Sequence, residues 1–183
     1  YTTLFRSIAL QHLSSALHET PAKLRFRYDE KADDPFADWI ILGMSRRNSL
    51  ITDALFDRIK ARSGIEVVKG TGSHQYIKID GEQELRCSHV HDEEFESRVE
   101  KDYGIIVRIQ GDNGNCLLLC GGIHMFGTQG ALEVAISESF IRQVQQSRAK
   151  EFVQVVEVPV LKDGVSINRE GLRWKELPFR PLT

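Results

Sequence analysis

The chain contains few cysteines, and their spacing does not suggest a disulfide framework. Only Cys87, Cys116 and Cys120 occur among its 183 residues. An odd number of cysteines without the spacing of a disulfide framework favours a reducing compartment, so we expect a cytoplasmic protein. Cys116 and Cys120 belong to an apolar run, where cysteine usually acts as a small buried hydrophobic side chain.

Long apolar runs and a strong charge of one sign are also absent. No run approaches the roughly 20 residues that span a bilayer, so we expect no membrane-embedded form. The formal net charge is −2 and the pI is about 6.3. The basic pair Arg46-Arg47 is too short to form a nucleic-acid-binding patch, so no direct nucleic-acid binding is expected. The hydrophobic content of 41% predicts a folded domain.

The first residue is Tyr1, and no signal-peptide pattern follows it. We therefore expect a fragment of a longer protein, organised as a single α/β domain over residues 1–183. A helix is predicted over residues 4–18, and it belongs either to this domain or to a preceding module. Residues 1–7 resemble translated adapter sequence, so no inference depends on them.

The first strand–loop–helix pattern starts at Trp39. Residues 39–42 form a continuous apolar run, which is typical of a strand covered on both faces. The loop that follows, residues 43–49, contains Gly43, Asn48 and Ser49. Apolar residues then recur at helical spacing, and Gly64 is a suitable helix end.

The second pattern follows an apolar strand over residues 116–120. Four glycines occur between residues 121 and 130, and such residues allow tight turns and close backbone approach. We predict one long helix from about residue 128 to residue 150, with Thr128 as its N-cap. The short polar turn at residues 111–114 predicts that the strand beginning near Asp102 is antiparallel to this one.

The middle of the chain is typical of short antiparallel strands. The dipeptide Asp80-Gly81 is a strong hairpin signal. The predicted fold is therefore α/β: a mixed, partly parallel Rossmann-like sheet with flanking helices and an antiparallel hairpin region.

Both strand–helix junctions are candidates for ligand binding, because loops at the carboxyl ends of parallel strands commonly hold anionic or nucleotide-like ligands. If they share one edge of the sheet, they form two walls of one site. The predicted ligand-binding residues are Gly43, Asn48, Ser49, Gly122, His124, Gly127 and Thr128. The pattern lacks the glycine fingerprint of dinucleotide-binding proteins and a Walker lysine, and it identifies no cofactor.

Three further interpretations concern individual residues. His124 and Glu133 are weak candidates for acid and base in a hydrolase or transferase of nucleotide-like substrates. Cys87, His89 and His91 share one face of a strand, but a spacing of about 6–7 Å along it is too wide for one zinc ion unless the strand bends, and a polar solvent face explains them as well. We therefore predict no metal site. Asp102 is expected at the end of its strand away from the ligand loops, where it caps local structure.

Several segments together resemble a known group of proteins. These are GxxxxN at residues 43–48, DYGIIVR at 102–108, LLLCGG at 117–122 and FGT at 126–128. The set is similar to poorly characterised bacterial Rossmann-like domains that occur with DNA-binding or signalling modules. The resemblance covers residues 39–139, implies a regulatory or ligand-sensing role and transfers no catalytic residue. Met44 and Arg46-Arg47 depart from the small or glycine-rich residues usual there.

The sequence thus predicts a regulatory or sensory domain that binds a small, nucleotide-derived ligand and is not an enzyme. An enzyme of nucleotide-like substrates is one alternative. A protein-interaction module that uses the middle strands as a pairing edge is the other. The sequence does not identify the ligand or the oligomeric state.

Overall fold

The structure is a computed structural model that describes residues 38–44, 49–68, 75–90, 98–111 and 114–182. The side chains of residues 49–54 are not described. The helix predicted over residues 4–18 lies outside these ranges, as do Asn48 and His91.

The described residues form three α-helices and nine strands. The helices are α1 (Ser49–Ser63), α2 (Met125–Ala135) and α3 (Glu138–Ser147). The strands are β1 (Trp39–Leu42), β2 (Ile65–Val68), β3 (Tyr76–Ile79), β4 (Gln83–Arg86), β5 (Ser88–Val90), β6 (Arg98–Gln110), β7 (Cys116–Gly122), β8 (Phe152–Pro159) and β9 (Phe179–Pro181).

Six strands form a large mixed sheet in the order β1-β7-β6-β8-β9, and β5 also pairs with β6. β1 and β7 are parallel, whereas the other pairs in this sheet are antiparallel. The predicted mixed, partly parallel α/β fold is thereby confirmed. The antiparallel pairing predicted from the polar turn at residues 111–114 is confirmed as well.

A small antiparallel sheet contains β2, β3 and β4 in that order. The turn between β3 and β4 has positive φ at Asp80 (53°) and Gly81 (76°). A type I′ hairpin turn requires positive φ at both central residues, and Asp-Gly favours it. Cys87 alone separates β4 in the small sheet from β5 in the large sheet.

The large sheet is covered on both faces, and its side chains alternate between two cores. Ile105, Val107 and Ile109 of β6 pack with α1 and the small sheet. Ile106 points to the opposite face, where it packs with residues of α2 and α3 such as Leu132 and Phe140. Burial on both faces accounts for the continuous apolar runs in the central strands.

The single helix predicted for residues 128–150 was wrong in its start and its continuity. α2 begins three residues before Thr128, and the helical segment is interrupted at Ile136 and Ser137. The Ser137 hydroxyl accepts a hydrogen bond from Phe140 N and caps a separate helix, α3. Within the described residues, no helix combines the length and apolar character needed to cross a membrane.

Candidate functional site

The two strand–helix junctions lie at the same edge of the large sheet. β1 and β7 are parallel neighbours, with Leu42 opposite Cys120 in the register. Beyond the strands, the Gly43 N–H donates a hydrogen bond to the Cys120 carbonyl, with an N···O distance of 2.8 Å. Parallel pairing therefore brings the residues after both strands side by side.

The base of this junction is filled by a methionine. Met44 is buried, and it packs directly over Gly121. A Cβ atom on Gly121 would lie only 2.3 Å from Met44 Cγ, so the methionine occupies the space a larger residue would need. Gly43 has φ of +88°, and among the described residues no neighbouring atom lies within 4 Å of the position of a Cβ.

The glycines near α2 allow the helix to lie directly on the sheet backbone. A Cβ atom on Gly127 would lie 2.1 Å from the Tyr103 carbonyl oxygen. A Cβ atom on Gly122 would lie 2.2 Å from Thr128 N, and Thr128 is itself buried. The close helix–sheet contact therefore accounts for both glycines, whichever ligand the edge accepts.

Asp102 lies at this same edge, so its predicted place at the opposite end was wrong. β6 is antiparallel to β7, and Gly104 pairs with the last residue of β7, Gly122, so Asp102 lies just beyond the end of β7. The buried Asp102 carboxylate accepts hydrogen bonds from Gly127 N (2.5 Å), His124 N (3.1 Å) and Tyr103 N (2.8 Å). It thus occupies N–H groups at the start of α2 that could otherwise bind an anion.

Burial sets the protonation behaviour of Asp102. Desolvation raises the pKa of this carboxyl to about 6, although the N–H groups of Gly127, Tyr103 and His124 favour the charged form. The expectation that Asp102 caps local structure agrees with these hydrogen bonds. The structure that it caps is the N-terminus of α2, which follows the neighbouring strand β7.

His124 is half-buried at the residue that precedes α2. Its Nε2 atom is buried and has no hydrogen-bond partner among the described residues. Burial lowers its pKa, so the neutral imidazole is favoured. Its ring meets the His89 ring edge-on, with a centroid distance of 5.7 Å and an interplanar angle of 81°.

Glu133 is placed well away from His124. Glu133 lies nine positions after His124, which corresponds to about 13 Å along the helix axis. The Glu133 carboxylate instead forms an ion pair with Arg169 at 2.8 Å. The structure therefore does not bring the two predicted acid–base residues together.

Cys87 and His89, two of the three possible metal ligands in the sequence, lie close to His124. Atoms of Cys87, His89 and His124 that can ligate a metal all lie within 4.8 Å of one another. Burial raises the pKa of the Cys87 thiol to about 12, and the charge of Asp102 adds to this shift. The strand spacing considered in the sequence did not include His124, which arrives from the end of β7.

The remaining predicted ligand residues are only partly described. Ser49 begins α1, and its side chain is outside the described set, as is all of Asn48. A separate groove of about 270 Å³ lies between α3 and the sheet, lined by residues including Arg108 and Leu118. These two are paired in β6 and β7, four residues from Gly104 and Gly122, or about 13 Å from the edge.

Comparisons with models of known protein families, with curated proteins and with solved structures found no match for this chain.

Proposed function

We propose that this chain is a regulatory or sensory domain that binds a small, nucleotide-derived ligand at the edge where β1 and β7 end. The proposal excludes a catalytic role. The observation that carries it is the parallel pairing of β1 with β7, including the 2.8 Å hydrogen bond from Gly43 N to the Cys120 carbonyl. Ligands of α/β domains are commonly held beyond the carboxyl ends of parallel strands.

The two walls of the proposed site differ in charge preference. At the α2 wall, Asp102 already accepts hydrogen bonds from His124 N and Gly127 N. An anionic phosphate there would meet a carboxylate in place of free donors. We therefore assign the phosphate to the start of α1 at Ser49, where helix N–H groups favour negative charge. The uncharged part of the ligand then faces His124.

The regulatory role and the bacterial origin in this proposal rest on the sequence resemblance, and the cytoplasmic location rests on the few cysteines. The separation of His124 from Glu133 and the ion pair of Glu133 with Arg169 favour a binding domain over the acid–base enzyme considered as the alternative.

Thermal unfolding with a panel of nucleotides and dinucleotides tests the proposal. A ligand at about 100 times its dissociation constant stabilises the native state by about 2.7 kcal/mol. For a domain of this size that corresponds to a rise in Tm of about 5–11 °C. A chelator is kept in all samples, so that metal carried by a nucleotide cannot cause the shift.

Ser49→Ala and Gly43→Val are expected to reduce the ligand-induced shift, each measured against its own ligand-free Tm. Asp57→Asn is the control, because Asp57 is an exposed residue farther along α1. If no compound raises the Tm, or if both variants keep the full shift, the proposed site is wrong.

A further inference from the structure

We propose that Cys87, His89 and His124 bind one divalent transition-metal ion of the zinc class, with a fourth coordination position left for water or a small ligand. Their ligating atoms lie within 4.8 Å of one another. A thiolate and two imidazoles are donors that zinc accepts in proteins. The inference rests on these three side chains and does not depend on the nucleotide site.

The topology of β6 explains why distant parts of the chain converge here. At Lys101, β6 pairs with β8 through Pro159 and with β5 through Ser88, so β5 and β8 lie on opposite sides of β6. β7 also lies opposite β8, and its last paired residue, Gly122, faces Gly104. β7 therefore ends where β5 begins, on the same side of β6.

This arrangement sets His124 beside the start of β5. Cys87 is the residue at which the chain passes from the small sheet into the large one. The pairing of β5 with β6 shifts register between Ser88 and His89. The regular strand spacing of about 6–7 Å between alternate residues therefore does not apply to Cys87 and His89.

The observed separations are close to those of a coordinated site. Zinc–sulfur bonds of about 2.3 Å and zinc–nitrogen bonds of about 2.0–2.1 Å place tetrahedral ligand atoms about 3.3–3.6 Å apart. Because the three atoms lie within 4.8 Å of one another, movements of about 1 Å bring them into this range. His89 is exposed and Cys87 is half-buried, so side-chain rotation can supply that movement.

An independent observation at His124 also indicates a missing partner. Its Nε2 atom is buried and has no hydrogen-bond partner among the described residues. Buried polar side-chain atoms are nearly always hydrogen-bonded or bound to an ion. A metal ion held with Cys87 and His89 would satisfy this nitrogen.

The charge of the surroundings suits a divalent cation. Asp102 is buried next to the cluster, and its negative charge acts on both Cys87 and His89. Within the described ranges, no lysine or arginine forms an ion pair with Asp102. On binding, the Cys87 thiol releases one proton to solvent. One thiolate and one carboxylate then balance the two positive charges of the ion. Asp102 also holds His124 N, so it is a positioning residue for that ligand.

The one sulfur and two nitrogen ligands favour some metal ions over others. Magnesium and calcium prefer oxygen ligands, whereas one sulfur and two nitrogens suit zinc, cobalt, nickel or copper. Only three protein ligands are assigned, which is the pattern of an open site where a fourth ligand exchanges.

Cobalt(II) titration of the full chain, freed of metal and kept reduced, is the direct test. We expect one equivalent to bind, with a thiolate-to-cobalt charge-transfer band and the visible bands of tetrahedral cobalt. Zinc should displace the cobalt and abolish both signals, because zinc binds such sites more tightly. Absence of binding, or binding without a thiolate band, would overturn the proposal.

Matched variants locate the site. Cys87→Ser should remove the charge-transfer band, and His124→Gln should weaken binding at least about 100-fold, the upper range for loss of a residue that only supports a ligand. Cys116→Ser is the control, since Cys116 is also half-buried and contacts Arg108 instead. Equal binding by Cys87→Ser and Cys116→Ser would contradict the assignment.

A measurement on the unaltered chain guards against variants that fail to fold. Zinc should slow alkylation of Cys87 at least tenfold relative to a chelated sample, while Cys116 changes little, as read by peptide mass spectrometry. If zinc protects Cys87 and Cys116 equally or neither, the site is not at this cluster. The thermal-unfolding experiments with nucleotides contain a chelator, so they do not depend on metal binding. The metal proposal and the nucleotide proposal can therefore fail independently of each other.

Discussion

The Asp102 carboxylate accepts a hydrogen bond from Gly127 N at 2.5 Å and thereby joins β6 to the first turn of α2. The same carboxylate accepts from His124 N, so one side chain fixes both the helix and the connection that precedes it. A residue from a neighbouring strand thus replaces a local N-cap, since His124 at the N-cap position makes no side-chain capping bond.

Asp102→Asn should destabilise the protein by about 1–3 kcal/mol. The amide NH₂ group would replace a carboxylate oxygen that now accepts hydrogen bonds from backbone N–H groups. Urea unfolding with chelator present should give a lower midpoint and an unchanged m-value. The exposed Asp57→Asn variant should remain within about 0.5 kcal/mol of the parent. Equal stability of the two variants would show that the Asp102 hydrogen bonds do not anchor α2.

Gly127→Ala tests the close contact of α2 with β6. Alanine normally favours a helix interior by about 1 kcal/mol over glycine. Here the new Cβ would lie 2.1 Å from the Tyr103 carbonyl oxygen, so we expect a net loss of about 3 kcal/mol. Gly81→Ala, which meets only backbone strain at φ of +76°, should cost about 1–2 kcal/mol. A stabilised Gly127→Ala protein in thermal melts would contradict the contact.

Met44→Ala should leave a cavity between the two strand–helix junctions. The loss of a buried methionine side chain is expected to destabilise the protein by about 2–5 kcal/mol. Ile40 on the preceding strand is 38% exposed, so Ile40→Ala should cost only about 1 kcal/mol. Chemical denaturation of both variants measures the difference. Similar small losses would mean that Met44 does not fill this junction.

Stability should depend on Glu151 in a pH-dependent way. Burial disfavours its charged form, but Gln110 N, Arg62 and Arg58 outweigh this effect and lower the pKa below its ordinary 4.5. A lowered folded-state pKa contributes stability above pH 4.5 that is lost as the pH falls through the folded value. Glu151→Gln should therefore cost about 1 kcal/mol at pH 7 and progressively less in acid.

Unfolding of both proteins between pH 7 and pH 3 checks the Glu151 prediction. The control is Glu84→Gln, because Glu84 forms an exposed ion pair with Arg86 on the small sheet. Its effect should be near zero at every pH, as for most surface pairs. A Glu151→Gln deficit that persists undiminished at low pH would show that the charge of Glu151 is not responsible.

Local sequence patterns predicted the strands that form the site, since apolar runs and turn residues act over short distances. The Asp-Gly hairpin and the antiparallel turn at residues 111–114 follow from the same local rules. That turn also implied that the residues around Asp102 lie beside the end of β7, so the position of Asp102 could have been found from it. Ser137 interrupts the predicted helix because its hydroxyl caps α3, a local competition that apolar periodicity does not reveal.

The meeting of His124 with Cys87 could not be read from spacing. β5 and β7 pair with consecutive parts of the same edge of β6, and His124 meets Cys87 where these two strands adjoin. This arrangement is a long-range property of the sheet. No pattern within either segment specifies that neighbour. Patterns within single segments therefore do not predict contacts between side chains from strands that are not paired with each other.

The connection through Cys87 links the position of the small sheet to that of β5 in the large sheet. With one residue between β4 and β5, a displacement of the small sheet would also shift β5, which pairs with β6 next to Asp102. A metal ion bound at Cys87 would therefore fix this junction between the two sheets, in addition to the buried core that they share.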